Sequence, residues 1–207
     1  MNTLYPAICA SFCILMVLSN ILSAKMWALP LIPLSIPVGL ITYPLTFLLS
    51  DFVTEIFGAR KARTIVIIGF AMNLLSYGLI QLALALPSQA PSQQNAFEAV
   101  FGLSSLRIFS SLIAYATAQM IGIQTYAAIK QWTGPSWIWI RSNGATFVSQ
   151  IVDTVLIDLL YLGWGLNMSI AELAPIMLFS FIYKAFFSVI CTPVLYLMLK
   201  GRKLFTT

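Results

Sequence analysis

The sequence predicts an all-α membrane protein, six transmembrane helices in a single bundle over residues 1–207. Three observations carry this. The chain is 60% hydrophobic and only 8% charged, against about 25% charged in ordinary soluble domains, so it could not cover a water-facing surface. Its apolar runs are close to the roughly 20 residues that a span needs. Its cations gather between those runs, as topology-setting residues do.

Leu4–Ala24 carries no charge and forms the first span. Met26–Val38 is apolar, but Pro30, Pro33 and Pro37 are too close for a regular helix, so it reads as a structured hydrophobic connection at the membrane edge. The second span runs over Val38–Phe57 and stops at Gly58, and the third over Thr64–Leu86. PSQAPSQQNAFE, starting at Pro87, is polar and broken by proline, which predicts a loop. Ile108–Ile129 is the fourth span, a turn with Gly134 and Pro135 follows, and Ile140–Trp164 and Leu173–Leu199 are the fifth and sixth. Arg60, Lys61 and Arg63, then Lys130 and Arg141, then Lys200, Arg202 and Lys203 fall on one side of such a bundle. The positive-inside rule therefore makes both termini cytoplasmic. Lys25 and Arg107 stand on the other side, against the rule.

Several chemistries are disfavoured. There is no histidine, the commonest catalytic base and transition-metal ligand. No phosphate-binding GxxxxGK[ST] loop occurs. Cys9, Cys13 and Cys191 lie in apolar runs without metal-ligand spacing and read as small buried hydrophobes. A non-enzyme with no cofactor, no metal and no nucleic-acid partner is expected, and the +5 net charge is assigned to topology.

Ionisable groups inside a span are functional candidates by default. Asp51, Asp153, Asp158 and Lys184 are the four, with Glu55 and Arg141 near span ends. RSNGATFVSQIVDTVLID puts Ser142, Thr146, Ser149 and Asp153 on one helical stripe, flanked by Asn143 and Gln150. Lipid cannot satisfy that stripe, so it faces the bundle interior or a wet cavity. Asp158 points about 140° away from Asp153 and needs a separate account. By helical rise, Asp153 and Lys184 lie at similar depth, about 20–22 Å from the cytoplasmic end, and can pair; Arg141 lies level with Glu55. Two readings of YPLTFLLSDFVTEIFGARKAR stay open. Asp51 and Glu55 form a latch with Arg60, Arg63 or Arg141, or Asp51 lines a translocation path. Gln119, Gln124, Asn73, Gln81 and Asn20 read as interhelical glue, the first two also as lesser site candidates. Trp132, Trp137 and Trp139 read as interface anchors.

Those two stretches, with SNILSAK at Ser19–Lys25, resemble the queuosine-precursor transporter family, also called vitamin-uptake-transporter-like. The likeness extends over nearly the whole chain in length, span number and motif order. It implies uptake across the inner membrane of a 7-deazaguanine precursor of the tRNA nucleoside queuosine, and an architecture similar to the substrate-binding subunits of energy-coupling-factor vitamin transporters. The partners it implies are a purine-like base and the lipid bilayer, with homo-oligomerisation left open. A carboxylate can accept both donors of the 7-deazaguanine edge, which makes Asp153 the edge contact, assisted by Gln150 and Asn143. Ser149, Asp51, Gln119, Gln124 and Lys184 complete the substrate set, and Asn20 and Lys25 stand at an outer mouth under the Pro-rich segment. The alternative is a binding subunit that depends on a separate ATPase module. Which precursor is carried and what drives it stay open.

Overall fold

A computed structural model of the chain describes residues 3–28, 35–102, 105–133, 137–165 and 167–201. Helix α1 (Leu4–Leu22) leads into a two-stranded antiparallel hairpin, β1 (Met26–Ala28) and β2 (Ser35–Pro37), in which Trp27 pairs with Ile36. A 3₁₀ turn (Val38–Ile41) then feeds α2 (Tyr43–Phe57). Helices α3 (Ala59–Ala85), α4 (Pro91–Phe101), α5 (Ser105–Thr133), α6 (Ile138–Ile157) and α7 (Ile170–Gly201) follow, with a wide π-helical segment, Asp158–Gly165, continuing α6.

Among the described residues, four helical stretches are long and apolar enough to cross a membrane: α1, α3, α6 with its π segment, and α7. α2 has only 15 residues. α5 has 29 but carries Gln119, Gln124 and several hydroxyl side chains. Nevertheless α2 is the hub. It touches α1, α3, α5, α6 and α7, and ten of its residues, including Asp51, are buried. The molecule is turned inside out relative to a water-soluble bundle. Ile14, Leu75, Ile182 and Leu197 are all more than half exposed, while Asp51, Gln119, Arg141, Asn143, Gln150, Asp153 and Lys184 are buried. That distribution fits a hydrocarbon solvent, which welcomes apolar side chains and forces polar groups to find each other.

The boundaries differ from the sequence reading in three places. The expected charged loop after α2 collapses to a single residue. Gly58, with φ 85° and ψ 163°, makes the corner that L residues resist. Arg60, Lys61 and Arg63 therefore ride on the first turns of α3, in a segment of good helix formers. The stretch after Pro87, expected to be a loop, contains α4. Pro91 sits in its first turn, where a missing N–H costs nothing. Gln94 donates to Glu98 at 2.7 Å and Phe97 packs on Phe101 at 4.6 Å, both at i,i+4 spacing. The fifth helix leaves α geometry at Asp158 rather than running regularly to Trp164. The apolar connection takes the form of a hairpin, with Pro37 ending β2. Pro30 and Pro33, the Gly134–Pro135 turn, and Arg202 and Lys203 lie outside the described residues, as does the side chain of Arg107.

The bundle has two unlike ends. Arg60, Lys61, Arg63, Lys130, Arg141 and Lys200 stand at one, the basic end, where Tyr5 at the start of α1 donates to the Lys61 carbonyl. Exposed Trp132, Trp137 and Trp139 surround it. The hairpin, α4 and the π segment make up the other, the hairpin end.

Candidate functional site

At the basic end, polar groups close on Glu55. Its carboxylate oxygens lie 2.9 Å from Arg141 Nη2 and 3.2 Å from Lys130 Nζ, and the Tyr126 hydroxyl donates to it at 2.9 Å. Lys130 also donates to the Glu55 carbonyl at 2.8 Å. Arg141 and Tyr126 are fully buried, so α2, α5 and α6 are tied together by charge-assisted bonds where solvent competes little.

One turn nearer the centre of α2, Asp51 accepts a hydrogen bond from Ser142 on α6 at 2.6 Å. Both line a small cavity of about 20 Å³ with Thr146, Gln150, Lys184 and Cys191. One water needs about 10–15 Å³ measured this way, so this space admits a water and no organic ligand. Gln150 is buried and its Oε1 has no hydrogen-bond partner among the described residues. Asn143 donates to Thr192 on α7 at 2.9 Å, which joins α6 to α7.

A larger cavity of about 130 Å³ opens towards the hairpin end. Asp153, Lys184, Tyr43, Tyr115, Asn20 and Asn73 supply its principal polar and aromatic lining, with Ser111 and Thr46. Lys184 Nζ on α7 stands 2.6 Å from Asp153 Oδ2 on α6 and 5.5 Å from the centroid of the Tyr43 ring. Asn20 Nδ2 donates to Asn73 Oδ1 at 2.9 Å, while Asn73 Nδ2 is buried without a partner among the described residues. Tyr43 and Tyr115 meet edge to face at 5.2 Å. Tyr43 and Lys184 line both cavities. They form the partition between a space sized for a small ring system and one sized for a water.

The residues singled out from sequence are scattered over this arrangement. Asp153 and Lys184 meet in the large cavity, and Asp51 and Gln150 in the small one. Asn20 lines the large cavity. Asn143 bridges helices beside the small one. Ser149 lines neither: its hydroxyl donates to the Thr146 carbonyl at 2.9 Å. It packs against Gly122 of α5, where a Cβ would lie 3.2 Å from its own, a close approach of helix backbones that small residues allow. Gln119 is buried and donates to the Tyr115 hydroxyl at 2.7 Å, so it positions a cavity ring without lining the cavity. Gln124 is exposed on the outside of α5. Arg60, Arg63 and Lys25 are exposed; among the described residues Glu55 takes Arg141 and Lys130 as its cations. Asp158 is buried on the π segment, with one carboxylate oxygen unpartnered among the described residues. Sequence reasoning passed over Tyr43, Tyr115 and Tyr126, and treated Asn73 only as glue. A tyrosine in an apolar run gives no sign of which way its hydroxyl points.

The model of the family described as "Putative vitamin uptake transporter" matches residues 37–198, and the chain belongs to that family. The chain is also 30% identical over 125 residues to a Bacillus subtilis (strain 168) protein named "Probable queuosine precursor transporter". That match covers 59% of this chain and 55% of the relative, so the chain spans little more than half the length of the curated relative it matches. No solved structure matches the chain.

Proposed function

We propose that this member of the family carries a 7-deazaguanine precursor of queuosine inward across the cytoplasmic membrane. The observation that carries this reading is the large cavity, in which a carboxylate, an ammonium, two amides and two aromatic rings converge at mid-bundle. Its volume is about ten times what one water needs, which suits a fused two-ring base. The relative's name points to the same substrate class.

In this reading all six long elements span the membrane. α2 alone is about 22 Å long by helical rise, and the 3₁₀ turn before it adds about 8 Å, together close to the roughly 30 Å hydrocarbon thickness. The basic end faces the cytoplasm, by the lysine and arginine bias, and both termini lie there. The large cavity then opens outward, and the Glu55 cluster, the Asp51–Ser142 bond and the Tyr43–Lys184 partition close the inner side.

Asp153 meets the base in competition with Lys184. The two N–H donors of a 7-deazaguanine edge can occupy both oxygens of the carboxylate, and so take over the hydrogen bond that the ammonium now makes. Tyr115, held by Gln119, offers a ring face or edge to the base. Asn73 Nδ2, still unspent, suits an acceptor on the opposite edge. Displacing Lys184 also loosens the partition, since the same ammonium stands over Tyr43.

The test is binding of a panel of nitrile-bearing and aminomethyl-bearing 7-deazaguanines and queuine to purified protein, with Asp153→Asn beside wild type. A ligand at about 100 times its Kd stabilises the fold by roughly 2.7 kcal/mol, which a thermal-shift assay reads. Binding by wild type that is lost in the variant supports the base and the contact together. Equal binding by both removes Asp153 from the site. A folded wild type that binds no member of the panel rules out the substrate class.

A further inference from the structure

The carboxylates along the bundle interior are not matched alike, and Asp158, buried on the π segment, lines neither the small cavity nor the large one. Glu55 takes two cations and a phenol, and Asp153 takes Lys184. Asp51, only 5% exposed, receives one neutral hydroxyl, that of Ser142. The titratable and charged groups near it are accounted for from each packed element. On α2 these are Glu55 one turn on and Tyr43 two turns back. α5 supplies Tyr126 and Lys130, both bonded to Glu55. α6 supplies Arg141, bonded to Glu55, and Asp153. α7 supplies Lys184, bonded to Asp153, and Cys191. The groups of α1 and α3 toward this end are Tyr5, which packs on Phe57, the half-buried Cys9 and Cys13, and exposed Arg60, Lys61 and Arg63. Among the described residues no cation lies within ion-pair reach of Asp51.

We propose that Asp51 is a proton-binding site, and that inward movement of the substrate is coupled through it to inward movement of a proton. This rests on the transport reading above. A carboxylate shut in a bundle without a counter-ion is costly, and a proton cancels its charge without needing room. The place for the proton to arrive is also present. The small cavity beside Asp51 holds about one water, and Gln150 Oε1, buried and unpartnered, is available to hold it. Lys184 lines that cavity and the large one alike, so water reaching the large cavity stands one side chain away. The same ammonium repels a metal cation from the small cavity, which favours a proton over sodium. The cycle balances simply. A proton passes from water on the hairpin side to a carboxylate oxygen of Asp51. It is given up to water on the basic side once that end opens and solvates the carboxylate.

The experiment uses full-length protein in proteoliposomes with the membrane potential clamped and the neutral nitrile-bearing base as probe. Exchange of labelled for unlabelled base is measured without a gradient, then accumulation under an inside-alkaline gradient. One pH unit can drive up to about tenfold accumulation at one proton per substrate. Wild type should accumulate the base in response to the gradient. Asp51→Asn should still exchange base but gain nothing from the gradient, and Asp51→Glu should regain the response. Infrared difference spectra between acid and alkaline buffer, taken without substrate, should show a carboxylic-acid C=O band that Asp51→Asn removes. Base exchange that ignores the gradient in wild type overturns the proposal. So does a gradient response that survives in Asp51→Asn, an infrared band unchanged by that substitution, or acceleration by a sodium gradient in place of the proton gradient. A wild type that exchanges no base refutes the transport reading itself, and the coupling falls with it.

Discussion

Glu55 at the basic end and Asp153 at mid-bundle are both carboxylates facing a buried cation, yet their surroundings differ. Arg141, Lys130 and Tyr126 converge on Glu55. Asp153 has one close cation, Lys184, and a cavity of about 130 Å³ on its other side. The difference separates two uses of buried charge. Where partners saturate the carboxylate, the pair fixes helices against each other. Where a partner stands beside open volume, a ligand can compete for it. The small cavity between them, with Asp51 and Gln150 each short of a full set of partners, belongs with the second kind.

Breaking the saturated cluster should have the largest effect, and it should fall on stability. Glu55→Ala takes away the carboxylate that faces fully buried Arg141, and removing one member of a buried pair costs about 3–5 kcal/mol. Thermal unfolding in detergent should drop accordingly, with any folded fraction still binding base. An unfolding temperature close to wild type would mean that the closed end is not the structural tie it looks to be. The mid-bundle pair should respond in the opposite sense. Asp153→Asn should abolish base binding, and the double variant Asp153→Asn/Lys184→Met should recover stability, because no lone ammonium is left buried, without recovering binding. Recovery of binding along with stability would make the pair structural. Asn73→Ala should sharpen the contrast more gently. Losing one hydrogen bond to a ligand is worth about 1 kcal/mol, so calorimetry should show Kd rising several-fold, with a smaller drop in unfolding temperature than Glu55→Ala gives, from the lost Asn20–Asn73 bond. At the small end of the scale, Gln124→Ala on the exposed face of α5 should leave stability within about 0.5 kcal/mol and binding untouched. A clear loss of binding there would move the site off the bundle interior.

Much of this contrast was legible one residue at a time. Asp153, Lys184, Glu55 and Arg141 stand out because charge in an apolar run must find a partner, and helical rise alone sets each pair at matching depth. The stripe on α6 was legible for the same reason, though its members turned out to serve different ends: Asp153 lines the large cavity, Gln150 the small one, and Ser149 packs against Gly122. Ser149 and Gln150 are about 100° apart as consecutive residues of a helix, so a stripe with its flanks can face three different neighbours. The α3 and α4 boundaries were misread because Gly58 turns the chain by itself, and because α4 is held by side-chain pairs that a proline-punctuated composition conceals.

The sequence by itself determined the solvent and the residues that could not be left to it. With 8% charge and long apolar runs, the chain needs a hydrocarbon exterior, and its few ionisable groups must lie inside or at the ends. Tertiary structure alone decided how those groups divide their partners. Arg141 and Lys130 arrive at Glu55 from α6 and α5, and Lys184 arrives at Asp153 from α7, leaving Asp51 with a hydroxyl. The same holds for the tyrosines, Tyr43 at the partition and Tyr115 in the cavity wall. The physical reason is range. Burial of a charge is a property of the residue and its solvent, and composition reports it. Pairing and cavity volume depend on contacts of a few ångströms between helices far apart in sequence, and only the packed bundle fixes those.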